Sequence, residues 1–156
     1  MRSAWATGLL LATVGCGGEA SEGGADSCGP AQGVIARVID GDTAELTDGA
    51  RLRYLLVDTP ELGTAPECYG PEAKRQNEAL VLGKEVRLEF DLECQDRFGR
   101  LLAYLYVGDR MINEVLVQRG YARVIVIPPN ERYEPEIREA ERSARSNQAG
   151  LWGACQ

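Results

Sequence analysis

The stretch Val34-Ile35-Ala36-Arg37-Val38-Ile39-Asp40-Gly41-Asp42-Thr43-Ala44-Glu45-Leu46 sets the architecture. Its first six residues are mostly β-branched, the class that packs best on a pleated surface. Asp40-Gly41 is a tight-turn pair that sends the chain back through residues 43–46 as an antiparallel partner. Working outward, Asp48-Gly49 marks a second turn, and residues 51–57 are apolar enough for a third strand. Pro60 pushes Thr59 into extended geometry and stops that strand. Residues 62–69 carry Gly, Pro and Thr and read as a loop. Pro71 opens a helix over 72–82, and Gly83 closes it. Residues 85–92 set Val86, Leu88, Phe90 and Leu92 against charged neighbours with period two, a fourth strand. Asp96-Arg97-Phe98-Gly99 turns the chain into a fifth, 101–107. A short amphipathic helix over 112–119 stops at Gly120. Residues 121–127 are extended until Pro128-Pro129-Asn130, and a helix over 135–148 aligns Ile137, Ala140 and Ala144. Five strands and about three helices in this order predict an α+β fold, a five-stranded OB-fold barrel decorated by helices.

The chain has 156 residues, 44% hydrophobic and 26% charged, enough for one domain with a real core. It contains no histidine, which removes imidazole general bases, Ser-His and Cys-His nucleophile pairs, and most zinc sites. The net charge of −7 argues against a protein that coats nucleic acid through a basic surface. It leaves room for one that grips a single phosphate.

The amino end reads as a targeting segment. Met1-Arg2-Ser3 is a short positive start and residues 4–14 are apolar, which fits a secretory core too short to span a bilayer. The small residue before Cys16 resembles the bacterial lipobox, in which the cysteine is lipidated. Residues 1–15 are accordingly expected to be a lipoprotein-type signal peptide. Residues 16–30, rich in Gly, Ser and acids, are expected to be a flexible tether, with the folded domain over 31–156. The chain is then exported and held at the bacterial envelope, on the outer membrane or surface, through the lipid alone, or is secreted if Cys16 is not lipidated. Setting Cys16 aside leaves Cys28, Cys68, Cys94 and Cys155, an even number that fits two disulfides with three possible connectivities. The expected pairs are Cys28–Cys155, tying the ends of the domain, and Cys68–Cys94, tying two loops.

Four short pieces carry chemistry: Asp40-Gly41-Asp42-Thr43, Arg53, Asp58-Thr59-Pro60-Glu61 and Arg100. Hard divalent cations take oxygen ligands from carboxylates, carbonyls and water, and an arginine fork matches a phosphate. Together these groups suit phosphodiester cleavage, a reaction that needs no covalent nucleophile. Each piece alone has a plainer reading, as a hairpin turn, a loop start, an ion-pair partner or a solvated turn residue. Glu72, Lys74, Arg75 and Glu78 lie at helical spacing and read as a solvated face, and Trp152 reads as a plug against the barrel.

The chain resembles the staphylococcal nuclease family over residues 33–152. The resemblance rests on Ile39-Asp40-Gly41-Asp42-Thr43, on Arg53 with Leu56-Val57-Asp58-Thr59-Pro60-Glu61, and on Tyr69-Gly70-Pro71-Glu72-Ala73. It continues in Phe98-Gly99-Arg100-Leu101-Leu102-Ala103-Tyr104, Met111-Ile112-Asn113-Glu114 and Gly150-Leu151-Trp152. It implies a calcium site at Asp42, Asp58 and the Thr59 carbonyl, with Asp40 close behind. Glu61 would act as general base or orienter of the attacking water, while Arg53 and Arg100 hold the phosphate. It further implies a monomeric endonuclease acting on DNA and RNA and leaving 3′-phosphates. The segment Val124-Ile125-Val126-Ile127-Pro128 departs from the family pattern, standing where the best-known member offers tyrosines beside the base. Phe98, Tyr121 and Tyr133 are the aromatic residues available to replace them. The alternative, from a different class, is a catalytically silent OB-fold module that binds nucleic acid or protein at the envelope.

Overall fold

The computed structural model describes residues 28–155; the expected signal peptide, most of the tether and Cys16 lie outside them. Among the described residues, eight strands and four helices follow one another. They are β1 (Gln32–Val38), β2 (Thr43–Leu46), β3 (Arg51–Tyr54), β4 (Val57–Asp58), α1 (Gly70–Val81), β5 (Glu85–Gln95), β6 (Leu101–Val107), β7 (Arg110–Met111), α2 (Ile112–Gln118), β8 (Arg123–Val124), α3 (Glu134–Ser146) and α4 (Leu151–Ala154). Among the described residues no helix is long and apolar enough to cross a membrane.

The main sheet runs β3-β2-β1-β5-β6-β7, and an additional pairing of β3 with β6 closes it on itself. The closure is parallel, with Leu52, Arg53 and Tyr54 opposite Leu101, Leu102 and Ala103, whereas the other pairings around the ring are antiparallel. A five-stranded closed barrel of OB type results. β1 bends into it through a bulge between Ile35 and Arg37, which turns Ile35 and Val38 inward together; an extra residue on one strand sharpens local twist, as a small barrel demands. β5 has a second irregularity after Phe90 and runs on to Gln95, beyond the expected end at Leu92.

Helix faces follow their periodicity. α1 buries Ala73, Asn77, Leu80 and Val81, and α3 buries Ile137, Ala140 and Ala144, the spacing of one helical stripe. Leu151 of α4 is buried, but the neighbouring Trp152 is not the expected core plug. It is half-buried, with the guanidiniums of Arg145 and Arg123 over its ring at 4.2 and 5.4 Å.

The expected third strand, 51–57, breaks in two. Leu55 and Leu56 leave the sheet, and Leu56 has a φ of 62°, a left-handed conformation that costs a non-glycine residue on the order of 1–3 kcal/mol. Arg53 holds this kink, its Nη1 donating to the carbonyls of Tyr54 at 2.9 Å and Val57 at 2.6 Å. Residues 121–127 likewise contribute only β8, which pairs with β4.

The disulfides pair differently from expectation. Cys28 is bonded to Cys94, and Cys68 to Cys155. Cys28 is tied to the far end of β5, and Cys155 to the loop that precedes α1. A Cβ on Gly29 would stand 3.1 Å from Leu101 Cδ1, and the Cys28–Cys94 bond ties this end of the expected tether to β5.

Candidate active site

The β1–β2 hairpin builds the first wall. Its turn closes through Thr43, whose carbonyl accepts from the N–H of Ile39 at 2.9 Å and of Asp40 at 3.3 Å. Asp40 Oδ1 accepts the Asp42 N–H at 3.2 Å, the local bond that makes aspartate a turn residue. A Cβ on Gly41 would stand 2.6 Å from Thr59 Cγ2, so glycine is what allows this turn to approach the end of β4.

That approach creates the central contacts. Asp42, buried, accepts at Oδ2 from the Thr59 N–H at 3.0 Å and Thr59 Oγ1 at 3.2 Å, and at Oδ1 from Thr43 Oγ1 at 3.0 Å. From β3, Arg53 extends the end not occupied by the kink: its Nη2 lies 3.2 Å from Asp42 Oδ2 and 3.5 Å from Asp58 Oδ1. Asp58 keeps 46% of its side chain exposed. Behind them Asn77 of α1, fully buried, donates to the Asp40 carbonyl at 3.0 Å and accepts from the Tyr54 hydroxyl at 3.0 Å. The helix thus fixes both the hairpin turn and β3.

Acids crowd here. Burial, followed by the charge of Asp42, pushes the Asp40 carboxyl up to about 6. Burial also raises Asp58, with Arg53 opposing and Asp42 adding to the rise. Both shifts record charges held together with less solvation than they prefer. An oxygen-only donor set of this kind fits a hard dication. Among the described residues no three His, Cys, Asp or Glu side chains gather as a metal cage; Asp42 and Asp58 are the two carboxylates that Arg53 contacts.

Arg100 reaches the site from the start of β6. Its Nε donates to Asp96 Oδ2 at 2.6 Å, and Asp96 Oδ1 accepts the backbone N–H groups of Phe98 and Arg100 at 2.9 and 3.1 Å. Arg53 and Arg100 share one cleft of about 460 Å³, whose further walls include Leu102, Phe98, Ile125 and Ile127. Phe98 is 69% and Ile127 61% exposed, so an aromatic ring and an aliphatic side chain flank the arginines in the open. Of the other aromatic residues, Tyr121 is stacked on Tyr69 at 5.4 Å, and Tyr133 donates to Glu89 at 2.6 Å and packs edge-on against Tyr104. Only Phe98 of the three lines the cleft.

Glu61 follows β4 by three residues and is exposed. Its N–H donates to a Glu67 carboxylate oxygen at 3.1 Å, and its carbonyl accepts the Glu67 N–H at 2.9 Å. Asp40, Asp42, Arg53, Asp58 and Thr59 therefore converge by direct contact and Arg100 shares a cleft with Arg53, whereas the contacts of Glu61 are with Glu67. Sequence reasoning missed Asp96, Asn77 and Glu67. Asp96 opening a turn three residues before Gly99 carries an aspartate-turn signal; Asn77 and Glu67 carry none, because their partners are distant or lie across an irregular loop.

A family model described as staphylococcal nuclease homologue matches residues 51–154. The thermonuclease of Staphylococcus intermedius is 39% identical over 125 residues, covering 76% of this chain and 74% of the relative. Endonuclease YncB of Bacillus subtilis (strain 168) is 40% identical over 126 residues, covering 76% of this chain and 60% of the relative. The SPbeta prophage-derived endonuclease YokF of the same organism is 39% identical over 126 residues, and there the match covers 76% of this chain but 43% of the relative. With its closed barrel, its paired acids and arginines, and a match over most of its folded length, the chain belongs to the staphylococcal nuclease family.

Proposed function

We propose that the chain is a calcium-dependent phosphodiesterase, an endonuclease acting on DNA and RNA and leaving 3′-phosphates. The observation that carries this is Arg53, which contacts Asp42 and Asp58 at 3.2 and 3.5 Å while lining one cleft with Arg100. Asp42, Asp58 and the Thr59 carbonyl would hold the cation, with Asp40 supporting the turn behind them. Calcium, when bound, supplies positive charge against the phosphate and polarises a water. Arg53 and Arg100 bind the scissile phosphate and stabilise the charge that grows on it in the transition state; losing such a group costs on the order of 10²–10³ in rate. Asp96 keeps Arg100 extended into the cleft. Glu61, carrying no buried partner, accepts the proton of the attacking water or orients it. The apolar walls around Phe98 receive a base by contact rather than by hydrogen-bond readout, which suits broad substrate use.

We place the working unit in residues 31–156 with the anchored Cys28–Pro30 segment, as a monomer. Two disulfides fit an oxidising compartment, and with the leader they support export. Anchoring through Cys16 is proposed from the lipobox-like sequence alone. The test is incubation of the purified protein with plasmid and with single-stranded RNA, in calcium and in chelator. Cleavage of both that disappears with chelator and in Glu61→Gln is the expected result. Intact substrates with folded protein would instead assign a silent binding module.

A further inference from the structure

The loop that carries Glu61 is closed with more care than its surface position requires. Both backbone polar groups of Glu61 are taken by one residue, Glu67: the Glu61 N–H by its carboxylate at 3.1 Å and the Glu61 carbonyl by its N–H at 2.9 Å. The Glu67 carbonyl in turn accepts the Gly70 N–H at 3.0 Å. A Cβ on Gly70 would stand 2.8 Å from the Glu61 carbonyl oxygen, so the loop root sits directly on the first turn of α1. Cys68, the residue after Glu67, is bonded to Cys155. Cys155 ends α4, its N–H donating to the Leu151 carbonyl at 3.0 Å, and the Leu151 N–H donates to Gly120 at 2.8 Å at the end of α2. A continuous path of short bonds therefore runs from the Glu61 backbone to the helical side of the barrel, and the disulfide is its covalent link.

The backbone of an exposed side chain sets the space that its rotamers can reach, so a shifted Glu61 backbone shifts where its carboxylate can act. Resting on the phosphodiesterase reading, in which Glu61 directs the attacking water, we propose that Glu67 and the Cys68–Cys155 bridge are positioning groups for Glu61. The enzyme is then fast with the bridge closed and slow with it open. Opening is a two-electron reduction by a dithiol: the S–S bond breaks, each sulfur leaves as a thiol, and the reagent becomes its cyclic disulfide. Misplacing a reacting group by about 1 Å costs on the order of 100-fold, so loosening one loop root is enough to be seen in kcat.

Cys28–Cys94 serves as the comparison. The two bridges span 66 and 87 residues, and closure entropy changes only slowly with length, so both losses weaken the fold similarly. Only Cys68–Cys155 is covalently attached to the Glu61 loop.

The experiment uses the purified full chain as wild type, Glu67→Gln, Glu67→Ala, Cys68→Ser/Cys155→Ser and Cys28→Ser/Cys94→Ser. Each is confirmed folded by near-ultraviolet circular dichroism and assayed well below its unfolding temperature. Readouts are kcat and KM on a single-stranded oligonucleotide with calcium, and hydrogen exchange at the Glu61 amide. In Cys68→Ser/Cys155→Ser, kcat falls roughly 10- to 100-fold with KM changed less than about twofold, and the Glu61 amide exchanges faster. Dithiol-treated wild type behaves the same way. Glu67→Ala follows it, whereas Glu67→Gln, which keeps an acceptor oxygen, stays near wild type. Cys28→Ser/Cys94→Ser leaves the Glu61 amide as protected as in wild type. Unchanged kcat and unchanged Glu61 exchange in folded Cys68→Ser/Cys155→Ser, or in Glu67→Ala should the double variant not fold, overturns the proposal. A wild type that cleaves nothing overturns the phosphodiesterase reading instead, and the exchange comparison still decides whether the clasp exists.

Discussion

Gly41 and Asp96 decide the site without touching a phosphate. A methyl group at Gly41 would meet Thr59 at 2.6 Å, and Thr59 in turn holds Asp42. Gly41→Ala is expected to destabilise the protein by about 1–3 kcal/mol, read as a lower urea midpoint. Asp96 accepts three hydrogen bonds, one of them from the Arg100 side chain. Asp96→Asn should lower kcat roughly tenfold, less than loss of Arg100 itself, because the guanidinium stays but its direction is no longer set. Asp96 also reports on pH. Burial pushes its carboxyl up, but bonds from the Arg100 side chain and backbone and from the Phe98 backbone outweigh this and hold it below its ordinary value of 3.8. As pH falls the unfolded chain takes up this proton first, so the stabilisation is complete above the ordinary value and lost as pH drops through the depressed one. The urea midpoint of Asp96→Asn should therefore fall less steeply than wild type between about pH 5 and pH 3. At this scale Asp42, Arg53, Asp58 and Arg100 were legible as residue types. Asn77 and Glu67 were not, since a buried amide or an exposed acid announces nothing until its partner across the fold is known.

Among the elements, periodicity located β5 and α3, because an alternation or a stripe facing one core is written in the residues themselves, while Pro71 and Gly83 bounded α1 and the Asp96–Gly99 turn opened β6. It failed at residues 51–57. The apolar run gives no sign that Leu56 must turn left-handed or that an arginine three residues earlier will bridge the kink with two carbonyls. The short strands β4 and β8 exist only because they find each other. One buried residue joins several elements: Asn113 of α2 accepts the Leu105 N–H at 2.9 Å and donates to the carbonyls of Leu55 and Ala103 at 2.8 and 3.3 Å. It thereby ties α2 to β6 and to the start of the kink behind the cleft. Asn113→Ala orphans the Leu105 N–H and the Leu55 carbonyl, while the Ala103 carbonyl keeps the Leu55 N–H at 3.0 Å; each buried group left unsatisfied costs about 1–3 kcal/mol. Its denaturation midpoint should drop by an amount that exposed changes such as Glu139→Ala do not approach.

At the scale of the molecule, the described residues form a closed barrel with two covalent ties, and the ties were the part least legible from sequence. Setting Cys16 aside left four of the five cysteines, but their pairing depends on which segments the barrel brings together. The ring places Cys94, past the end of the fourth strand's alternation, beside Cys28, and the helical side places Cys155 beside Cys68. Loops of this length contribute about 4 kcal/mol each in the chain-entropy picture, so full reduction should shift unfolding to markedly lower urea. Net charge acts at this scale too. At −7 the chain offers no broadly basic surface; on the proposed reading substrate is gripped at a few arginines, and log KM should vary only shallowly with log salt. The proposed chemistry rests on Arg53 and Arg100, which line one cleft, working against acids that would hold calcium. The most direct test is single-turnover cleavage of an end-labelled DNA oligonucleotide at saturating calcium, wild type beside Arg100→Ala. A drop of roughly 100- to 1,000-fold in the cleavage rate with oligonucleotide binding retained is the expected result. Equal rates in the two proteins would contradict the assignment of this cleft as the catalytic centre.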